Sequence, residues 1–173
     1  AVASALRDGQ DRVYAMSLVH ELVYQMADLS SIDAADYVSR LAMHAADAHR
    51  ICRDRIELKI ERFCLGLERA IPFGLALNEI LSNAFKYAAG EGGPVRLSLR
   101  VEDGIAELRV EDAGPGMPPG VLDAERSSLG ISLIEALATQ LHGRAAWGPG
   151  LGGRGVGVAF RFPLAGVQGS AKP

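Results

Sequence analysis

The sequence predicts an α+β fold: a two-layer sandwich with helices on one face of a mixed β-sheet, preceded by an N-terminal helical segment. Three observations carry that expectation. Apolar residues recur at three- and four-residue steps through residues 13–26 and again through 71–88, the spacing of a buried helical face. From Arg53 the pattern changes to alternation, the mark of half-buried strands. Of 20 glycines only Gly9, Gly66 and Gly74 precede position 90, so the second half carries the loops that strands need.

In chain order, Val13, Met16, Leu18, Val19, Leu22, Val23 and Met26 mark a first helix, with a break at Asp28-Leu29-Ser30-Ser31-Ile32. Asp33 is placed to cap a second helix through Val38, Leu41 and Ala45. Ile56, Leu58 and Ile60 then alternate with Glu57, Lys59 and Glu61, which predicts a strand and a domain boundary between residues 52 and 53. A short strand is expected over 63–67. A helix follows from Ile71 to Ala88, with Pro72 in its first turn, where a missing N–H costs nothing. Runs at 95–101 and 105–110 flank Glu102-Asp103-Gly104, a strong hairpin signal. A helix over 129–141, strands near 144–147 and 156–162, and a frayed tail over 166–173 complete the chain, with residues 53–165 as the second unit.

Composition narrows the function. The chain has 173 residues, 49% apolar, with net charge −3 and a pI near 5.8. No basic cluster suits nucleic acid, and no apolar run reaches a membrane span. A cytoplasmic piece without direct membrane insertion is expected. Cys52 and Cys64 stand in no metal-ligand spacing, which points to two reduced structural thiols.

The helix over 71–88 carries polar residues that a core helix should not have. Glu79, Asn83 and Lys86 or Tyr87 recur at helical steps beside the apolar face. A carboxylate, a carboxamide and an ammonium stacked over two turns suit a hydrated Mg²⁺ and the phosphates it carries, because Mg²⁺ takes oxygen ligands and keeps several waters. A solvated helix face has the same pattern. Downstream, Val110-Glu111-Asp112-Ala113-Gly114-Pro115-Gly116-Met117 ends a strand, and Ser127-Ser128-Leu129-Gly130-Ile131 opens a helix.

Taken together, these stretches resemble the GHKL ATPase superfamily, specifically the catalytic domain of bacterial sensor histidine kinases. NEILSNAFKYA is similar to the N box, EDAGPGM to the first glycine box, SSLGISL to the second, and GLGGRG precedes the last strand; four ordered motifs say more than any one. The resemblance covers about residues 10–165. It implies a histidine kinase that moves the γ-phosphoryl of Mg²⁺-ATP to a histidine and thence to a response regulator, as a homodimer in the full-length protein. Residues 1–52 resemble the second helix of the dimerisation hairpin, and the first helix, which would carry the phosphoacceptor, is expected to be absent. A fragment of this kind should bind ATP without labelling itself.

The resemblance assigns roles residue by residue. Asn83 ligates Mg²⁺, Lys86 and Tyr87 flank phosphates and base, and Glu79 stands where a carboxylate orients or deprotonates the attacking group. Asp112 is the acceptor for the adenine amine, although an Asp opening a turn looks the same in sequence. Gly114 and Gly116 let the backbone approach the base. Ser128, Leu129 and Gly130 offer a helix N-terminus to phosphate oxygens, with Ser127 and Ser128 equally suited as plain N-caps. Met117 to Arg126, polar and rich in Pro and Gly, reads as a lid over nucleotide or as a loop without fixed structure when empty.

Two decoys are set aside. Gly150-Leu151-Gly152-Gly153-Arg154-Gly155 satisfies G-x-G-x-x-G, but an alternating strand pattern follows instead of a helix, so no dinucleotide site is expected. His20-Glu21 looks like a phosphoacceptor pair, yet Tyr24 replaces the usual polar residue and His20 falls in the second-helix pattern, which leaves the acceptor unassigned. His44 and His49 are five apart and do not stack as ligands, and His142 suits a helix C-terminus. The competing readings are a degenerate phosphotransfer or partner-binding module, and an anti-sigma-type serine kinase, which the long helical leader disfavours.

Overall fold

The computed structural model describes residues 2–25, 30–88, 93–116 and 129–164, and for 2–8, 25, 87 and 88 the backbone only. Helices α1 (Val2–Gln25) and α2 (Ala34–Ala48) frame a short strand β1 (Ser31–Asp33). Strands β2 (Ile56–Ile60) and β3 (Cys64–Gly66) lead into α3 (Leu67–Ala88), and the hairpin β4 (Val95–Glu102) and β5 (Ile105–Asp112) follows. Helix α4 (Leu129–Gln140) and strands β6 (Arg144–Pro149) and β7 (Val156–Pro163) complete the order.

Local chemistry sets the element ends. The Asp33 carboxylate accepts from the Ala35 and Asp36 N–H groups at 2.8 and 3.2 Å, so the expected cap on α2 is in place. Asp103 and Gly104 both have positive φ, 51° and 74°, which a two-residue hairpin turn requires and an Asp-Gly step supplies. Helix α4 ends with His142 in the left-handed region; the Gly143 N–H bonds to Ala138 O and the His142 N–H to Thr139 O, which satisfies the last carbonyls. Arg50 and Ile51 close α2 in the same way.

Five strands form one sheet in the order β2-β4-β5-β7-β6, with β2 parallel to β4 and all other pairs antiparallel. Its inner face presents Leu97, Leu99, Leu108, Val110, Phe160 and Phe162, all buried. The outer face is a charged ladder: Arg100 lies opposite Glu107, which lies opposite Arg161, and Glu107 is ion-paired to both. Arg96 and Glu57 pair likewise at 2.7 Å. A face laced by its own cross-strand charges has no need of a second helical layer, so the helices gather on the other side.

Helix α3 occupies the middle of that layer. It packs on α1 and α2 on one side and on α4 and β5 on the other. Phe73, Ala76, Leu77, Ile80, Leu81 and Phe85 are buried, and the Phe73 ring meets Phe160 and Phe162 at centroid distances of 6.4 and 5.1 Å. Tyr37 of α2 lies across Gly74 of α3 and donates its hydroxyl to Ala15 O of α1 at 3.0 Å, joining three helices at one point. Burial pushes the Tyr37 phenol well above its ordinary pKa, so it remains a donor.

Several expectations need correction. Helix α3 begins at Leu67 rather than Ile71, and Pro72 therefore lies inside it, beyond the first turn. The cause is β3, which pairs antiparallel with β1 and hands the chain directly to the helix, while Ser30 O takes the Leu67 N–H at 3.2 Å. That two-stranded sheet was hidden in what reads as a helix break. Cys52 and Cys64 are free thiols, but both are exposed, so neither fills the core. The expected lid over 117–126, together with Ser127, Ser128 and the tail over 166–173, lies outside the described residues.

A Cβ on Gly74 would overlap the Tyr37 hydroxyl. Alanine gains about 1 kcal/mol of helix propensity over glycine, but overpacking a filled core costs about 1–3 kcal/mol, and the overlap wins. Gly74→Ala is therefore expected to lower the urea midpoint. Combined with Tyr37→Phe it should lose less than the sum, because the hydroxyl is the first atom met. An alanine variant as stable as the parent would show that Tyr37 leaves room there.

Candidate nucleotide site

Asp112 is the last residue of β5 and is 2% exposed. Its Oδ1 accepts two backbone N–H groups, from Gly114 at 2.8 Å and from Val156 at 3.3 Å. The first bond is an Asx-turn, so the turn-opening reading of this aspartate is also true of it. Oδ2 takes no bond among the described residues and is the atom left to meet a ligand. Burial raises the Asp112 carboxyl above the usual aspartate range, and the N–H groups of Gly114 and Val156 pull it part of the way back.

The Val156 N–H comes from the loop that carries the rejected G-x-G-x-x-G string. Gly155 has φ of +68°, and a Cβ there would overlap both the backbone and the Oδ1 of Asp112. A Cβ on Gly150 would overlap Asp112 O. Gly116, with φ of +88°, lies beside Gly155. Gly150 and Gly155 thus close around the end of β5 together with Gly114, which is buried, and Gly116. Sequence reasoning quoted this loop as a motif but gave it no role in the site; the signal it carried was the density of glycine just before a strand.

Helix α3 packs against β5, the strand that ends in Asp112. Its last residue, Ala88, is followed within seven positions by Val95, which pairs in register with Asp112. Asn83 is half-buried and Lys86 exposed, whereas Glu79 is 8% exposed and so does not lie on a solvated face. The Glu79 carboxylate is ion-paired with Arg12 of α1, Nε and Nη2 both reaching Oε1 at 2.8 Å. Nothing in the sequence pointed to Arg12, since the two residues are 67 positions apart. Helix α4, which packs on α3, begins at Leu129, 78% exposed, with Gly130 second. The Tyr87 side chain and Ser128 lie outside the described residues. The structure thus brings Asp112, Gly114, Gly116, Gly150 and Gly155 together, while α3, which carries Glu79, Asn83 and Lys86, packs against the strand that ends in Asp112.

The donor set fits a nucleotide-borne metal better than a protein-caged one. Among the described residues no group of three or more His, Cys, Asp or Glu side chains could hold an ion. A single carboxamide such as Asn83 suits Mg²⁺ that keeps its waters and rides on phosphates. Among the described residues no helix is long and apolar enough to cross a membrane.

Comparison with known proteins agrees with this geometry. The family profile described as histidine kinase-, DNA gyrase B-, and HSP90-like ATPase matches residues 68–166, and a profile described as histidine kinase matches residues 1–49. The histidine protein kinase DivJ of Caulobacter vibrioides is 27% identical over 85% of this chain, which spans 30% of that relative's length. The histidine kinase domain of the Erythrobacter litoralis EL346 blue-light activated histidine kinase superposes with a TM-score of 0.75 at 25% identity, over 91% of this chain and 75% of that one. The ATP binding domain of PrrB from Mycobacterium tuberculosis shares the fold, with a TM-score of 0.60 at 24% identity over 78% of this chain and 96% of that one.

The raised pKa of Asp112 gives a pH test with a defined sign. An adenine amine needs the ionised acceptor, so affinity for ADP should fall as pH drops through the Asp112 pKa, beginning above the pH at which an ordinary aspartate protonates. Stability runs the other way. The folded chain holds this proton to higher pH than the unfolded chain, so the group's contribution is full below the unfolded pKa and is lost as pH rises through the folded one. Asp112→Asn should weaken ADP roughly 10- to 100-fold, the worth of a hydrogen bond to a charged group. It should also remove that pH dependence, which calorimetry from neutral pH down into the ordinary aspartate range would read. Unchanged affinity would remove Asp112 from the site.

Proposed function

This chain belongs to the histidine kinase-, DNA gyrase B-, and HSP90-like ATPase family, and we propose that it is the ATP-binding catalytic region, with part of the dimerisation hairpin, of a sensor histidine kinase. In the whole protein the γ-phosphoryl of ATP passes to a histidine and onward to an aspartate of a response regulator. The reading takes residues 1–52 as the helical dimerisation and phosphotransfer region and 53–165 as the catalytic unit, working as a homodimer on the cytoplasmic side, where ATP is found.

The observation that carries this reading is the Asp112 carboxylate, buried at a strand end with Oδ1 held by two N–H groups and Oδ2 left over. That is an acceptor fixed before the ligand arrives, which is what selecting an adenine amine requires. Gly114 and Gly116 carry no side chain that would keep a base from the backbone. Asn83, half-buried one turn beyond Glu79, is the ligand we assign to Mg²⁺, which when bound screens the phosphates and draws charge from the leaving oxygen. Lys86 and Tyr87 flank the nucleotide, and Ser128, Leu129 and Gly130 give N–H groups at the start of α4 to phosphate oxygens. Glu79 orients the attacking imidazole.

The two key side chains should fail differently. Asn83→Ala is expected to abolish the part of ATP affinity that depends on Mg²⁺ while leaving metal-free binding within about twofold, since Mg²⁺ is bound through one or two side chains and the substrate phosphates. Asp112→Asn should weaken ATP with or without metal. Titration calorimetry with a non-hydrolysable analogue, with Mg²⁺ and with EDTA, separates them. Loss of metal-free binding in the Asn83 variant would contradict the assignment.

A further inference from the structure

We propose that Arg12 of the leader helix is a positioning residue for Glu79, so that the register of α1 is read at the catalytic helix. This rests on the role given to Glu79 above. The pair is not a surface accident: the Glu79 side chain is only 10% exposed and Arg12 33%, and both Nε and Nη2 of Arg12 converge on one oxygen, Oε1. A carboxylate so far removed from water needs a partner, and a guanidinium fork holds it in one rotamer where a lysine would not. Oε1 is thereby occupied, and the orientation of Oε2 is set by where Arg12 stands.

The place of Arg12 is itself fixed by neighbours on α1. Asp11, 4% exposed, meets His44 Nε2 of α2 at 3.2 Å, and the Tyr14 ring stacks on the His44 ring at 3.6 Å. One turn on, Ala15 O takes the Tyr37 hydroxyl that passes over Gly74 of α3. Residues 11, 12, 14 and 15 therefore anchor α1 to both other helices within little more than one turn. Sliding or rotating α1 by one residue would carry the Arg12 fork away from Glu79, leaving that carboxylate buried and differently aimed.

The test is phosphoryl transfer in the full-length kinase, measured against ATP concentration in parent, Arg12→Ala, Arg12→Lys, Glu79→Gln and the Arg12→Ala/Glu79→Gln double variant. Arg12→Ala should lower kcat about 10- to 100-fold with KM for ATP within about twofold, because aim is lost and nucleotide contact is not. Arg12→Lys, which keeps the charge but not the fork, should recover part of the rate; if the alanine variant does not melt cooperatively, the lysine variant carries the comparison. In the Glu79→Gln background the loss of Arg12 should add nothing, which a merely structural role would not produce. An Arg12 effect of equal size in both backgrounds, a loss carried by KM, or full activity of Arg12→Ala would each overturn the proposal. Unchanged kcat in Glu79→Gln would instead remove the role of Glu79, and the Arg12 proposal with it.

Discussion

A helix enclosed on several sides can carry a buried charge only where that charge finds a partner, and α3 is such a helix. Its apolar face follows from ordinary periodicity, but Asn78, Glu79 and Ser82 are also nearly inaccessible. Glu79 is tolerated there because Arg12 arrives from another helix, and Gly74 is required because Tyr37 takes the space a side chain would fill. Both conditions are met by the helical leader. The leader is therefore part of what allows α3 to hold a buried charge, and not an appendage resting on a finished domain.

The same tension between burial and charge appears at the end of β5. Removing the Asp112 carboxylate from water disfavours its ionised form, and two N–H groups only partly offset this. A third donor on Oδ2 would hold the anion more firmly but would occupy the atom to which we assign the site's selectivity. Gly150 and Gly155 make the arrangement possible, since backbone meets backbone around Asp112 with no room for Cβ. The residue whose charge matters is thus held by residues that contribute no chemistry of their own.

Much of this was legible in the sequence, and the limits follow from range. The α2 cap, the Asp103-Gly104 turn and the alternating strands depend on interactions within a few residues, and they were readable because local chemistry decides them. Asp112, Gly114 and Gly116 were singled out through a short motif, within which the Gly114 N–H bonds to Asp112. What escaped depends on distant pairing: β1 with β3, Arg12 with Glu79, and Val156 with Asp112. The start of α3 was misplaced for the same reason, because Pro72 weighed as a local helix opener and the partner of β3 lies in a segment with no strand pattern of its own.

The charged outer face of the sheet bears on how the leader and the site communicate. Arg100, Glu107 and Arg161 pair across β4, β5 and β7, and Arg96 of β4 with Glu57 of β2, so that face is held by bonds among its own strands. Helix α1 makes its largest contact with α3, and further contacts with α2 and β1, while α3 touches the sheet through β5, β4 and, at Phe73, β7. The packed route from α1 to the strand that ends in Asp112 therefore runs through α3, the element that also carries Asn83. An element with a packed apolar face and a buried ion pair on its polar side has few ways to yield: the ion pair is directional and the apolar contacts are not. On the proposal above, the discrimination between leader positions falls on the Arg12–Glu79 pair, while α3 stays packed on β5 through apolar contacts.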